Sequence, residues 1–165
     1  MKLSTQEEYG LRCLLQLGRR GEGGSITIPE LSQLEGLSPA NVGKIMRVLR
    51  RGGLVKSTRG QTGGYILARP ADQIVVGEVL SMLGGRLFDS AFCERHSGVE
   101  RLCTHLGECS IRPVLRQLQE VVDQVLDGLT LKSLLCTERE VRLSVSSGRS
   151  SAGPTGEPLS DPGLS

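Results

Sequence analysis

Three cysteines, Cys93, Cys103 and Cys109, fall within seventeen residues of one another. Grouped thiolates are soft donors that suit a zinc ion or an iron–sulfur centre. Their gaps of nine and five residues match neither the paired CxxC of a zinc ribbon nor the tight run of a bacterial ferredoxin. The argument for ligation therefore rests on context. The stretch around them is polar and dotted with glycine, so no core there asks for a small apolar side chain. A lone cysteine more often serves as a buried small hydrophobe. Cys13, on the apolar part of a helix, and Cys136, beside Leu134 and Leu135, suit that role. Three thiolates leave a four-ligand site one donor short. His96, His105, Glu7, Glu8 and Glu108 are candidates. Imidazole is a common metal ligand. A carboxylate is a hard partner for a soft centre and makes a labile site, which is useful in a sensor.

A second group of residues carries charge rather than thiols. Lys44, Arg47, Arg50, Arg51, Lys56, Arg59 and Arg69 occur with no acid among them, although the whole chain has a net charge of only +2. This distribution points to a polyanion. Asn41 and Lys44 lie early on a helix, where Asn pairs with adenine and Lys with guanine. Arg47 lies on the same outward face. Ser38 and Thr58 are placed to bond phosphates, and Arg59, at a hairpin tip, to enter a narrow minor groove. Gln61 and Tyr65, in the same hairpin, complete the candidate DNA contacts.

The elements that must position these residues are legible from periodicity and punctuation. Residues 4–20 read as a helix capped by Ser4 or Thr5, with Leu11, Leu14 and Leu15 on one face. Ile26, Thr27 and Ile28 read as a short extended piece. Pro29 starts a helix that ends at Glu35. After a tight turn at Gly36 and Leu37, Ser38 caps a third helix from Pro39 to Arg51, with Val42, Ile45, Met46 and Leu49 facing the core. Strands over 54–57 and 64–68 flank a glycine-rich loop and form a β-hairpin wing. A helix follows from Val76 or Gly77 to Leu83, then the cysteine loop. A long amphipathic helix runs from about Cys109 to Leu126. Its apolar face, from Val114 to Leu126, needs a partner, either a second copy of the chain or the chain's own first helix. A last short helix, capped by Thr130, covers 129–135. The Ser/Gly/Pro-rich tail, residues 141–165, reads as disordered.

The fold expected is mainly α with a small β-hairpin: a winged helix-turn-helix domain over 1–83, a cysteine-rich loop over 84–108, and a dimerisation helix with a short final helix over 109–136. Aromatic content is 2%, so aliphatic side chains must build the core. The N-terminus is polar and shows no secretory signal, and no apolar run approaches the ~20 residues that span a bilayer. With five cysteines, an odd number, the chain reads as cytoplasmic, with reduced thiols rather than a disulfide frame. No paired-carboxylate cleft, GxSxG or P-loop is present, so an enzyme is not expected. Gly60 to Gly64 lacks the Lys-Ser/Thr end that a P-loop requires.

The chain resembles the IscR and NsrR family of iron–sulfur winged-helix regulators over about residues 1 to 136. The resemblance rests on MKLSTQEEYGLRCLLQL, on LSPANVGKIMRVLRRGGLVKSTRGQTGGYILARP with its Arg59-Gly60-x-x-Gly63-Gly64-Tyr65 phrase, and on VGEVLSML. It implies a homodimer in which the long helices cross and an iron–sulfur cluster, 2Fe–2S or 4Fe–4S, binds at the interface. Two departures stand out. The first cysteine gap is nine residues where the family often has five. The position three after the last cysteine, a histidine ligand in IscR-like proteins, is Arg112. NsrR-like members use an acid near the N-terminus of the other subunit, and Glu8 matches that place. The resemblance thus implies ligation by Cys93, Cys103, Cys109 and Glu8, with His96 or His105 as rivals. The function expected is a dimeric repressor on a double-stranded DNA operator, controlled by iron–sulfur status, redox state or nitric oxide. The alternative is a cluster-free thiol- or zinc-dependent regulator or protein-interaction module.

Overall fold

The computed structural model describes residues 4–60, 63–86, 88 and 108–147. Three helices build the N-terminal half. Helix α1 (Thr5–Arg19) begins with a capping box: Ser4 Oγ accepts from the Glu7 amide, and Glu7 Oε2 accepts from the Ser4 amide at 2.7 Å. Helix α2 (Ile28–Glu35) repeats the device with Thr27 and Glu30. Those Thr27 hydrogen bonds hold the Glu30 carboxyl below its ordinary pKa. Helix α3 (Pro39–Arg51) is capped by Ser38, whose Oγ accepts from the Asn41 amide. Gly36, at φ 66°, makes the left-handed turn between α2 and α3.

Strands β1 (Val55–Thr58) and β2 (Gly64–Leu67) form an antiparallel hairpin, with Val55 opposite Leu67 and Ser57 opposite Tyr65. Ile26 adds one residue of pairing on the far side of β2, exchanging both backbone bonds with Tyr65 at 3.0 and 2.8 Å. This contact explains the glycines of the wing phrase. A Cβ on Gly64 would stand 2.7 Å from the Ile26 carbonyl oxygen, and one on Gly63 would stand 2.9 Å from the carbonyls of Thr58 and Gly60. Backbone occupies the space, so no side chain can move aside.

Helix α4 (Val76–Gly84) follows a 3-10 turn at Ala71–Gln73 and lies against α1 and α3. Gln6 Nε2 donates to the Leu83 carbonyl at 2.7 Å and ties α1 to the end of α4. Helix α5 (Ile111–Asp127) is the long amphipathic helix, and within the chain it packs on α4. The chain then returns to the core. Leu131 is fully buried, its amide donating to the Ile74 carbonyl at 2.8 Å, and the Val76 amide donates to Leu129. The core lies where α1, α2, α3 and α4 meet, around Leu14, Leu17, Leu31, Met46, Leu49 and Leu54. Each such side chain contributes about 1.5–3 kcal/mol by burial.

Three expectations need correction. The extended piece at 26–28 shrinks to a single bridge, because Thr27 caps α2 and Ile28 already lies in that helix. The last short helix is a 3-10 turn at Lys132–Leu135, and Thr130 lies before it, paired with Val75. The backbone bonds from residues 129–131 to 74–76 take the groups a helix would have used. The tail does not lose order at 141: a helix α6 (Glu138–Ser147) crosses that boundary, started by a capping box in which Thr137 Oγ1 donates to Glu140 Oε2 at 2.7 Å. The Thr-x-x-Glu signature at 137–140 carried this signal. The rest of the tail, and nearly all of the cysteine loop from residue 87 on, lie outside the described residues.

Gly64→Ala is expected to lower stability by ~1–3 kcal/mol through the clash with Ile26, read by urea denaturation. Gly43→Ala is the matched comparison. Its Cβ would meet only Ile28 Cδ1, at 3.8 Å, so the change should be neutral or stabilise by up to ~1 kcal/mol.

Candidate nucleic-acid interface and cysteine site

Helix α3 divides cleanly. Val42, Ile45, Met46 and Leu49 are buried, while Lys44, Arg47, Arg50 and Arg51 are exposed. Its first turn holds no acid, unlike those of α1 and α2, so nothing offsets the positive end of the helix dipole. Ser38 is exposed beside that end and Asn41 is half-buried. Arg59 is exposed immediately after β1. Helix α3 and the hairpin root thus present cations on elements anchored by a common core.

Two of the wing candidates do other work. The Thr58 hydroxyl donates to the Gly64 carbonyl at 3.3 Å and accepts from the Gly64 amide at 3.0 Å. Its one proton is committed within the hairpin rather than available to a phosphate. Tyr65 is half-buried and packs against the core. Gln61 lies outside the described residues.

Cys109 is half-exposed, two residues before α5, in a shallow cavity shared with Arg112 and Arg116. Cys93, Cys103, His96 and His105 lie outside the described residues. Among the described residues, no three His, Cys, Asp or Glu side chains gather as a metal site. Glu7 is engaged in the α1 capping box. Glu8 is exposed, 3.5 Å from Arg12. Cys109 and Glu8 therefore both reach the surface, and their donor chemistry, one thiol and one carboxylate, fits a thiolate-held centre. Arg112 cannot ligate.

A contact that sequence reasoning missed joins this region to the helix-turn-helix. Arg12 donates from Nε to Glu35 Oε2 at 2.6 Å and from its terminal nitrogen to the Glu35 carbonyl at 2.9 Å. Gln16 donates to the other carboxylate oxygen at 2.5 Å. The bond to Glu35 raises the Arg12 pKa further, and the Arg12 guanidinium lies 5.4 Å from the centroid of the Tyr9 ring. The partners are 23 residues apart, beyond the reach of any local spacing rule.

Cys13 is fully buried, as expected of a structural thiol, whereas Cys136 is exposed. Leu134 and Leu135 are both only partly buried, and the chain turns outward after them. Burial, then the nearby Glu35 charge, push the Cys13 thiol up to about 11 from 9.0.

A winged helix-turn-helix with a basic third helix and a long trailing helix is the architecture of a DNA-binding transcriptional regulator. The chain belongs to the Rrf2 family, described as iron-dependent transcriptional regulators, whose model matches residues 3–137. Protein rrf2 of Nitratidesulfovibrio vulgaris is 31% identical over 135 residues, covering 82% of this chain and 87% of that protein. Among solved structures, CymR (YrzC), the global cysteine regulator of B. subtilis, superposes with a TM-score of 0.65 at 31% identity, covering 82% of this chain and 96% of that one. T. potens IscR superposes with a TM-score of 0.64 at 30% identity, covering 82% of this chain and 86% of that one. The family is one of regulators, and this protein is not an enzyme.

The Cys13 environment predicts a pH dependence. An unfolded chain releases this proton near 9.0, the folded chain only near 11. Above the lower value the unfolded state binds fewer protons, so stability is present below pH ~9 and falls as pH rises towards ~11. Cys13→Ala is expected to flatten that fall in urea denaturation series run from about pH 8 to about pH 10.5.

Proposed function

We propose that this Rrf2-family regulator is a cytoplasmic homodimer and a repressor whose hold on a double-stranded DNA operator is controlled by an iron–sulfur cluster, 2Fe–2S or 4Fe–4S. Cys93, Cys103 and Cys109, with Glu8 of the other protomer, would hold the cluster. One observation carries the reading: the accessible Cys109 thiol stands at the start of a helix whose apolar stripe is bare. Ile111, Val114, Leu118 and Val121 on α5 are each more than half exposed, and such a stripe is satisfied by an equivalent helix. Among the described residues no helix is long and apolar enough to cross a membrane.

When bound, the cluster supplies a centre that oxidation, iron loss or nitric oxide can alter. The chain's own residues carry the consequence. Cys109 precedes α5. Helix α5 is joined to the end of α4 by the Arg86–Asp123 ion pair. Gln6 ties α4 to α1, and Arg12 ties α1 to Glu35 at the end of α2. A shift at Cys109 can therefore reach α3 through packed elements, and coupling of this kind amounts to roughly 1–3 kcal/mol. Each α3 would enter a major groove, the two about 34 Å apart, with Lys44, Arg47, Asn41 and Ser38 at the DNA and Arg59 in the flanking minor groove.

A cluster-free thiol- or zinc-dependent regulator is the second reading. The likeness to the B. subtilis cysteine regulator and the solvent-accessible Cys109 and Cys136 favour it.

Protein purified without oxygen is expected to be brown and to contain iron and acid-labile sulfide, and Cys103→Ser should bleach it while leaving the helical circular dichroism unchanged. A colourless, iron-free protein that resists reconstitution would sink the cluster and leave the second reading. Leu118→Glu places a charge on the bare stripe and should give a folded monomer in sedimentation; an unchanged mass would remove α5 from the dimer interface.

A further inference from the structure

A cavity of about 490 Å³ lies between the end of α1 and the root of the hairpin, on the far side of the molecule's N-terminal half from any residue assigned above. Four segments line it: the Gly21–Gly23 loop, the end of β2, the 3-10 turn at 71–73 and the 3-10 turn at 132–135. Ile66, Leu67, Ala71 and Leu135 supply apolar wall. A Cβ on Gly21 or Gly23 would meet nothing within 4 Å, so the mouth stays open.

The polar lining is specific. Of the three cations, Lys132 is 3.6 Å from Asp72, and Arg69 holds the Glu78 carboxylate through its terminal nitrogen. Lys56 makes no ion pair among the described residues. Arg69 Nε is buried and has no hydrogen-bond partner among them. A buried donor without an acceptor is costly and calls for an explanation. Here it belongs to a side chain lining a roomy cavity with apolar walls and few polar groups, the composition typical of small-molecule sites.

We propose that this cavity binds a small organic monoanion with an apolar body. Its oxygens accept from Arg69 Nε and Lys56, and its body lies on Ile66, Leu67 and Leu135. The carboxylates of Glu22 and Asp72, also in the lining, select against a second negative charge. The occupant touches both the hairpin and the strap that returns α5 to the core, so it is an effector by position. The proposal does not depend on how the cysteines are used.

The test is a titration of the ¹⁵N-labelled full chain with 3-phenylpropionate and with its neutral counterpart, 3-phenylpropanamide. The acid is expected to give saturable amide shifts at Gly21, Gly23, Leu67 and Lys132, with affinity about tenfold above that of the amide. Lys56→Glu should abolish that preference. Lys56 is an exposed strand residue, and the acid-against-amide comparison on the unaltered protein does not rely on the variant folding. Absence of saturable shifts, shifts confined to the α5 stripe or to the basic face of α3, or equal affinity for acid and amide would each overturn the proposal.

Discussion

A nearly buried carboxylate organises the DNA-binding half of this molecule. The Glu35 side chain is 7% exposed and ends α2, one residue before the turn that launches α3. A charge in that position needs compensation, and removing its partner would leave it stranded. Arg12 and Gln16 of α1 provide it, with donors to both carboxylate oxygens and to the backbone carbonyl. Apolar packing alone allows α2 to slide on α1; a forked, charge-assisted contact does not. The pose of the helix-turn-helix relative to α1 therefore depends on one polar cluster, and α1 is also the element that carries Glu8.

Around that anchor, two amphipathic helices divide their surfaces in opposite ways. Helix α3 buries its apolar side within its own domain and leaves cations outside. Helix α5 keeps few groups for its own chain. Gln119 is buried, accepting from the Phe88 amide at 2.9 Å and donating to Asp123 at 2.7 Å, while its apolar stripe faces outward. A polar residue thus seals the intramolecular contact of α5 and the apolar residues remain for another surface. That inversion is the physical ground for treating α5 as an interface element rather than a fifth core helix.

The wing shows how backbone proximity can govern a motif that side-chain chemistry does not explain. Gly63 and Gly64 sit where carbonyls of Thr58, Gly60 and Ile26 come closer than any Cβ allows. Read on its own, the phrase from Arg59 to Tyr65 is a glycine-rich loop with an arginine and a tyrosine beside it. In three dimensions its tyrosine is a core residue and its glycines admit a bridge from a segment nearly forty residues earlier.

Local order was written in the chain. Ser4, Thr27 and Ser38 begin α1, α2 and α3 because a side-chain oxygen can take a free first-turn amide, and the apolar residues of α3 recur at helical spacing because one face must be dry. The basic run from Lys44 to Arg69 and the bare face of α5 follow from the same patterning, and so did the Thr137 cap, whose signal was present but lay in a tail dominated by Ser, Gly and Pro. Pairings across long stretches of chain were decided by tertiary structure alone. Arg12 with Glu35, Gln6 with the Leu83 carbonyl, Ile26 with Tyr65 and Thr130 with Val75 join residues whose spacing carries no periodicity. The exposure of Cys136 and the burial of Cys13 were settled the same way. Propensity and capping act over a few residues and can be read in order, whereas burial and long-range hydrogen bonds depend on which surfaces meet after the chain has folded.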